Sequence, residues 1–236
     1  MQQRYRYLNQ TVPTFLVCLI ACAFATLSLG CNGYRMEYLA KSDISFVADA
    51  HLQSMETQLR EMTGKLYRRN PIQLTRGPGR DIEERIEEIF SRPGELVFRE
   101  LYERKGIDAM SLAFNPEYEG DRVFALMAGM TDMIRSSYNY KDSFFLLDQL
   151  DAQKLYDSAR NIEIAVWRLN NSVDHNGEPL LLVDSRRGEV RNLSYERLFG
   201  KMIATQDNLA SVISQKSHRT ITKVVQNVAT MAFLPI

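Results

Sequence analysis

The side chains able to do covalent or acid–base chemistry are few and poorly spaced for it. All three cysteines, Cys18, Cys22 and Cys31, fall at or before position 31, so the long remainder has no thiol for a disulfide, a zinc-thiolate centre or a nucleophile. The three histidines, His51, His175 and His218, stand far apart, and neither an HExxH pair nor a Cys/His cluster offers metal-ligand spacing. No metal and no cofactor is expected. Asp174-His175 has Ser172 and Ser185 nearby, but there is no G-x-S-x-G elbow, and adjacency along the chain does not make a triad; a polar turn is the expectation. Glu83, Glu84, Glu87 and Glu88 crowd one helix face with Arg85 among them, where water keeps carboxylates ionised. Hydrolysis of a glycoside instead needs two carboxyl groups across a cleft, one in a pocket that raises its pKa. No catalytic residue is therefore assigned.

A basic, turn-rich stretch at 68–80 opens with Arg68-Arg69 and ends in Thr75-Arg76-Gly77-Pro78-Gly79-Arg80, ahead of a helix start at Asp81. Backbone N–H groups at such a start, with Arg76 and Arg80, could hold a phosphate or an anionic lipid headgroup. The stretch lacks the P-loop lysine and the dinucleotide spacing, and acidic residues in the first helical turn repel an anion. A solvated connector is the expectation, with anion binding at Arg76 and Arg80 as the alternative.

The strongest pattern lies in the first thirty residues. Arg4 and Arg6 are followed by an uncharged, mostly apolar run over 12–29, the layout of an export signal. The run closes in Leu27-Ser28-Leu29-Gly30-Cys31, which resembles the lipobox of bacterial lipoproteins, with Ser28 where leucine is usual. The resemblance implies that the Cys31 thiol carries a diacylglyceryl group, that the chain is cut between Gly30 and Cys31, and that the new amine is acylated. Asn32, in place of the aspartate that retains such proteins in the inner membrane, implies the outer membrane. An uncleaved span or a plain secreted leader are the alternatives. The run is short for a span of roughly 20 residues, and Pro13 weakens its first turn. In each case Arg4 and Arg6 stay in the cytoplasm and the body lies outside it.

Beyond a tether at 31–41, residues 42–236 read as one all-α domain. Lys plus Arg and Asp plus Glu both number 29 and the basic residues are scattered, so nucleic acid is not an expected partner. Ser42 or Asp43 caps a long helix whose Ala48, Leu52, Met55, Leu59, Met62 and Leu66 alternate in steps of four and three, a seam expected to pack inside the same chain. Asn70-Pro71 ends it, and Asp81 caps a second helix with Ile82, Ile86, Ile89 and Phe90 on its apolar face. A short helix is expected over 95–104. Residues 121–135 are apolar on more than one face and predict a central buried helix, whose Ala125, Ala128 and Gly129 let neighbours approach closely. Asp151 opens another helix through Leu155, Ala159, Ile162, Val166 and Leu169, with Trp167 at its core edge. The period then fails, and Asn176-Gly177 and the apolar run 180–183 suggest a small β-hairpin at about 179–192. Helical pattern returns from Leu198 to Ile213 and again at Ile221, Val224, Val225 and Val228, and the apolar tail 231–236 is expected to dock on the body.

The functional expectation is a nonenzymatic, membrane-anchored envelope protein: scaffold, adaptor or assembly factor with an envelope protein partner. An envelope enzyme acting on peptidoglycan or lipid is one alternative, and an anionic lipid or phosphate module using the 68–80 loop is another.

Overall fold

In the computed structural model of the protein, residues 41–78, 81–145, 148–183, 192–218, 220–223 and 232–236 are described. Residues 1–40, with Gly30 and Cys31 of the expected leader, Arg80, and most of the expected hairpin lie outside them. The body, Ser42–Ile236, begins with α1, Asp43–Arg69. Ser42 caps it: its hydroxyl accepts from the Ser45 N–H at 3.2 Å, and Ser45 Oγ accepts from the Ser42 N–H in return. This reciprocal pair satisfies two of the donors that a helix start leaves open. Ala48, Met55, Leu59, Met62 and Leu66 are buried and Leu52 partly so, packed against later helices of the same chain.

Pro71 cannot continue α1, and the chain turns into a 3-10 helix, Pro71–Arg76, where an irregular connector was expected. Gln73 in it is buried and accepts the Arg122 N–H at 2.9 Å. Helix α2, Ile82–Phe90, is capped as expected by Asp81, whose carboxylate accepts from the Glu84 N–H at 2.8 Å.

The short helix expected over 95–104 is not formed. Residues 95–98 are extended, then a single 3-10 turn, Arg99–Leu101, runs into Tyr102 and Glu103, both at positive φ. The apolar residues alternate: Leu96 and Phe98 are buried while Val97 is exposed. The Leu96 N–H, which a helix would direct along its own axis, is donated instead to Asp132 Oδ1 at 2.8 Å. Tertiary pairing outweighs a weak local pattern.

Helix α3, Gly106–Ala113, was not expected; it packs along α4, Arg122–Ser137. A Cβ built on Gly129 would stand 2.6 Å from the Gly106 carbonyl oxygen and 2.6 Å from the Met110 nitrogen, so the small residue is what lets the two backbones meet. The buried Arg122 guanidinium closes the end of α3, donating to the carbonyls of Ala113, Asn115 and Pro116. As its composition predicts, α4 is buried nearly throughout. Its methionines join others from α1, α3 and the later chain in the core: Met55, Met62, Met110, Met127, Met130, Met133 and Met202 are all at most 1% exposed.

The remaining pair is α5, Ala152–Asn171, opened by Asp151, and α6, Ser194–Ser217. Gln206 ties them to α4: its side chain accepts from the Tyr138 hydroxyl and donates to the hydroxyls of Ser137 and Ser158, all buried. Trp167 sits further out than a core edge, about 37% exposed. At Asn176-Gly177 the chain turns, with one antiparallel bridge between Val173 and Pro179; no strand is formed among the described residues, including 179–183 of the expected hairpin. Residues 220–223 are not helical, and the rest of that expected helix lies outside the described residues. Two asparagines hold extended segments as a strand neighbour would. Asn70 exchanges two hydrogen bonds with the Leu182 backbone, and Asn161 exchanges two with Leu234. The tail therefore docks as predicted over 232–236, with Phe233 near Phe114 and under the Arg168 guanidinium.

Candidate functional site

The expected site residues stay apart. His51 lies on α1 facing the Thr205 backbone of α6, and burial lowers its pKa. His218 ends α6 in the left-handed region. His175 is exposed, its Nε2 2.8 Å from Glu117 Oε1, in a turn held by Asp174, which accepts from the Asn176 and Glu178 N–H groups. Ser172 caps the end of α5, and Ser185 lies outside the described residues. Arg76 is exposed on the 3-10 turn, and the basic group bearing on it, Arg122, is already spent on three carbonyls. Among the described residues no group of three or more His, Cys, Asp or Glu side chains is placed to share a metal ion, and no helix is long and apolar enough to cross a membrane.

Two features that sequence reading missed dominate the body's electrostatics. The first is Arg85. It stands among the glutamates of α2 in the sequence, yet is 1% exposed. It makes a two-pronged contact with Glu100, both arms at 2.9 Å, and reaches Glu88 at 2.9 Å and Asp121 at 3.2 Å. Its guanidinium lies 3.5 Å from the centre of the Phe124 ring. The Tyr67 hydroxyl accepts from Arg85 Nε and donates to Asp121 Oδ2 at 2.7 Å. Burial opposes the arginine's charge, but Glu100 and Tyr67 outweigh it and hold the pKa above its ordinary value. Burial pushes the Asp121 carboxyl up, against the pull of the Phe124 N–H, Tyr67 and Arg85. Asp121 is also the cap of α4. One arginine thus joins α1, α2, the 3-10 turn at 99–101 and the start of α4.

A signal for Arg85 was present. It lies three residues after Ile82 and four before Ile89, the spacing that puts it on the apolar side of α2 rather than opposite it.

The second feature is a cleft of about 410 Å³ between α1, the turn at 91–94, the end of α4 and residues 140–142, a size that suits a small ligand or a side chain. Leu52, Leu59, Phe90, Pro93 and Ile134 give it apolar walls, and Glu56, Arg92, Arg135, Lys141 and Asp142 give it charge of both signs. Arg135 is its most buried cation. It donates to the Arg92 carbonyl at 2.6 Å and the Gly94 carbonyl at 3.4 Å, with Glu56 3.9 Å away. Burial lowers its pKa, while Glu56 and Asp142 raise it. A more open groove, at Tyr156, Arg160, Asp207 and His218, is neutralised by the 2.6 Å Arg160–Asp207 pair.

Beside the cleft, burial pushes the Tyr140 hydroxyl up to about 12, and Asp132 adds to it. Asp132 itself is 2% exposed, and burial raises its carboxyl despite the Leu96 N–H and the Tyr140 hydroxyl. A carboxyl whose folded pKa exceeds its unfolded one keeps its proton longer in the native state. Its contribution is therefore fullest below the unfolded value and is lost as pH rises through the folded one. Replacing Asp132 with asparagine, which still accepts from Leu96, is expected to remove this loss: from about pH 4 upward the variant should gain on the parent. Urea unfolding across pH reads the difference, and parallel pH profiles for the two proteins would contradict it.

No protein-family model, curated protein or solved structure matches the chain.

Proposed function

We propose that this chain is a lipid-anchored protein of the bacterial envelope that works by contact with an envelope partner, as an adaptor, scaffold or assembly factor. The observation that carries the reading is the leader: Arg4 and Arg6, the uncharged run over 12–29, then Leu27-Ser28-Leu29-Gly30-Cys31 ahead of a thiol-free body. Acyl chains on Cys31 bury methylenes at about 0.8 kcal/mol each, and more than one chain holds a protein to a bilayer stably. The body supports contact over catalysis by where its ionised groups go. The deeply buried titratable groups, Arg85, Asp121, Arg122 and Asp132, are spent on holding elements together. Asn32 favours the outer membrane, with the body on the periplasmic side.

Metabolic labelling with a fatty-acid analogue, followed by separation of inner and outer membranes, tests the anchor. Label should appear on the parent chain, follow the outer membrane and vanish in Cys31→Ser. An unlabelled parent chain would make this an ordinary secreted or membrane-spanning protein and remove the reading's main support.

A further inference from the structure

We propose that the cleft between α1 and α4 receives an ammonium or guanidinium group on a short apolar stem, the chemistry of a lysine or arginine side chain presented by a partner. This deepens the contact reading by naming what the body touches, and it stands whether or not Cys31 is lipidated.

The sign of the ligand follows from how the cleft's own charges are employed. Its cations are engaged. Arg135 is held by two carbonyls and faces Glu56. Arg92 lies over the Phe98 ring at 4.7 Å with Glu88 3.9 Å away, and Lys141 is bonded to Asp148. Its acids are engaged less. Asp49 accepts from the Phe144 N–H at 2.8 Å, but Glu56 has only the 3.9 Å approach of Arg135 among the described residues, and Asp142 has no described hydrogen bond. The Glu56 and Asp142 carboxylates line the cleft together with Arg135. An incoming anion would meet these carboxylates with no uncommitted cation to offset them, whereas an incoming cation meets two carboxylates with bonding capacity to spare.

The stem follows from the walls. Leu52, Leu59, Phe90, Pro93 and Ile134 present apolar surface beside these charged groups, which suits a side chain that buries methylenes and keeps its charge at one tip. Thr131 is a second observation at the cleft: it lines it, is 2% exposed, and its hydroxyl has no hydrogen-bond partner among the described residues. Unpartnered buried hydroxyls are rare in native structures.

The full chain in detergent, followed by NMR of the Leu52, Leu59 and Ile134 methyl groups, would be titrated with n-hexylammonium, hexanol, hexanoate and Nα-acetyl-lysine N-methylamide. Saturable shifts with hexylammonium and with the lysine derivative are expected, weakened by added salt. Glu56→Gln combined with Asp142→Asn should weaken them on the order of tenfold. Both substitutions fall on exposed side chains, and an unaltered unfolding curve verifies that the variant folds. Equal binding of hexanol, tighter binding of hexanoate, or unchanged affinity in the double variant would overturn the proposal. Binding of hexylammonium without the lysine derivative would overturn the assignment to a partner's side chain.

Discussion

Arg85→Met is expected to lose about 3–5 kcal/mol of folding stability, the cost typical of breaking a buried ion cluster by removing one member. The arginine is the one cation in contact with Glu100 and Asp121 among the described residues, Asp121 is fully buried, and Glu88 has besides it only the more distant Arg92, 3.9 Å away, as an ion-pair partner among them. Without it the buried Asp121 carboxylate, close to Glu88 and Glu100, loses its cation, and so does the Phe124 ring. Methionine fills most of the volume, so the loss reports charge rather than a cavity. Adding Glu100→Gln and Asp121→Asn should return a good part of the stability, since an amide at Asp121 can still cap α4 and no carboxylate is left stranded there. Urea denaturation measures both steps. A single variant within about 1 kcal/mol of the parent would show that water or protonation already relieves the cluster.

Gly129→Ala carries the second large effect. In an isolated helix the change would be worth nearly 1 kcal/mol in the variant's favour. Here the new methyl would stand 2.6 Å from two backbone atoms of α3, which have no rotamer through which to retreat, so α3 must move as a body. The expected net result is a loss of about 1–3 kcal/mol, the range for overpacking a tight core, and more for valine. Gly200→Ala on α6 is the control, because nothing lies within 4 Å of a Cβ there, and it should be neutral or stabilising by up to about 1 kcal/mol. Thermal unfolding of the pair tests the contrast. Equal responses at Gly129 and Gly200 would mean that the α3–α4 approach is looser than described.

What could be read from the chain follows from how far each signal reaches. The seam from Ala48 to Leu66 repeats often enough to be unmistakable, and Ser42, Asp81 and Asp151 announce helix starts because their side chains act within a few residues of themselves. Gly129 among small neighbours predicted a close approach before its partner was known. Helix α3 escaped notice because it is only 8 residues long and Lys105 gives it no side-chain cap. The 95–104 segment misled because Leu96, Val97 and Leu101 fit a helix as well as an alternating strand, and the deciding Asp132 lies 36 residues away from Leu96. Arg85 was assigned to a solvated face by its company of glutamates, although its register placed it with Ile82 and Ile89. The cleft was beyond reach for a different reason: Glu56, Arg92, Arg135 and Asp142 come from four separate segments, and no spacing along the chain brings them together. The proposed leader is the opposite case, a contiguous pattern that is read without a fold.

The seven core methionines give this body a chemical vulnerability that its lack of thiols would not suggest. A thioether oxidised to the sulfoxide becomes polar and chiral, and inside this core it would face leucine and phenylalanine rather than water. While the helices stay closed, burial keeps oxidants from Met55, Met110, Met130 and their neighbours. Each opening exposes them, and each oxygen added makes the next closing less favourable. Oxidation would therefore accumulate in proportion to how often the bundle opens, and in the extracytoplasmic setting proposed above the protein would age through its methionines.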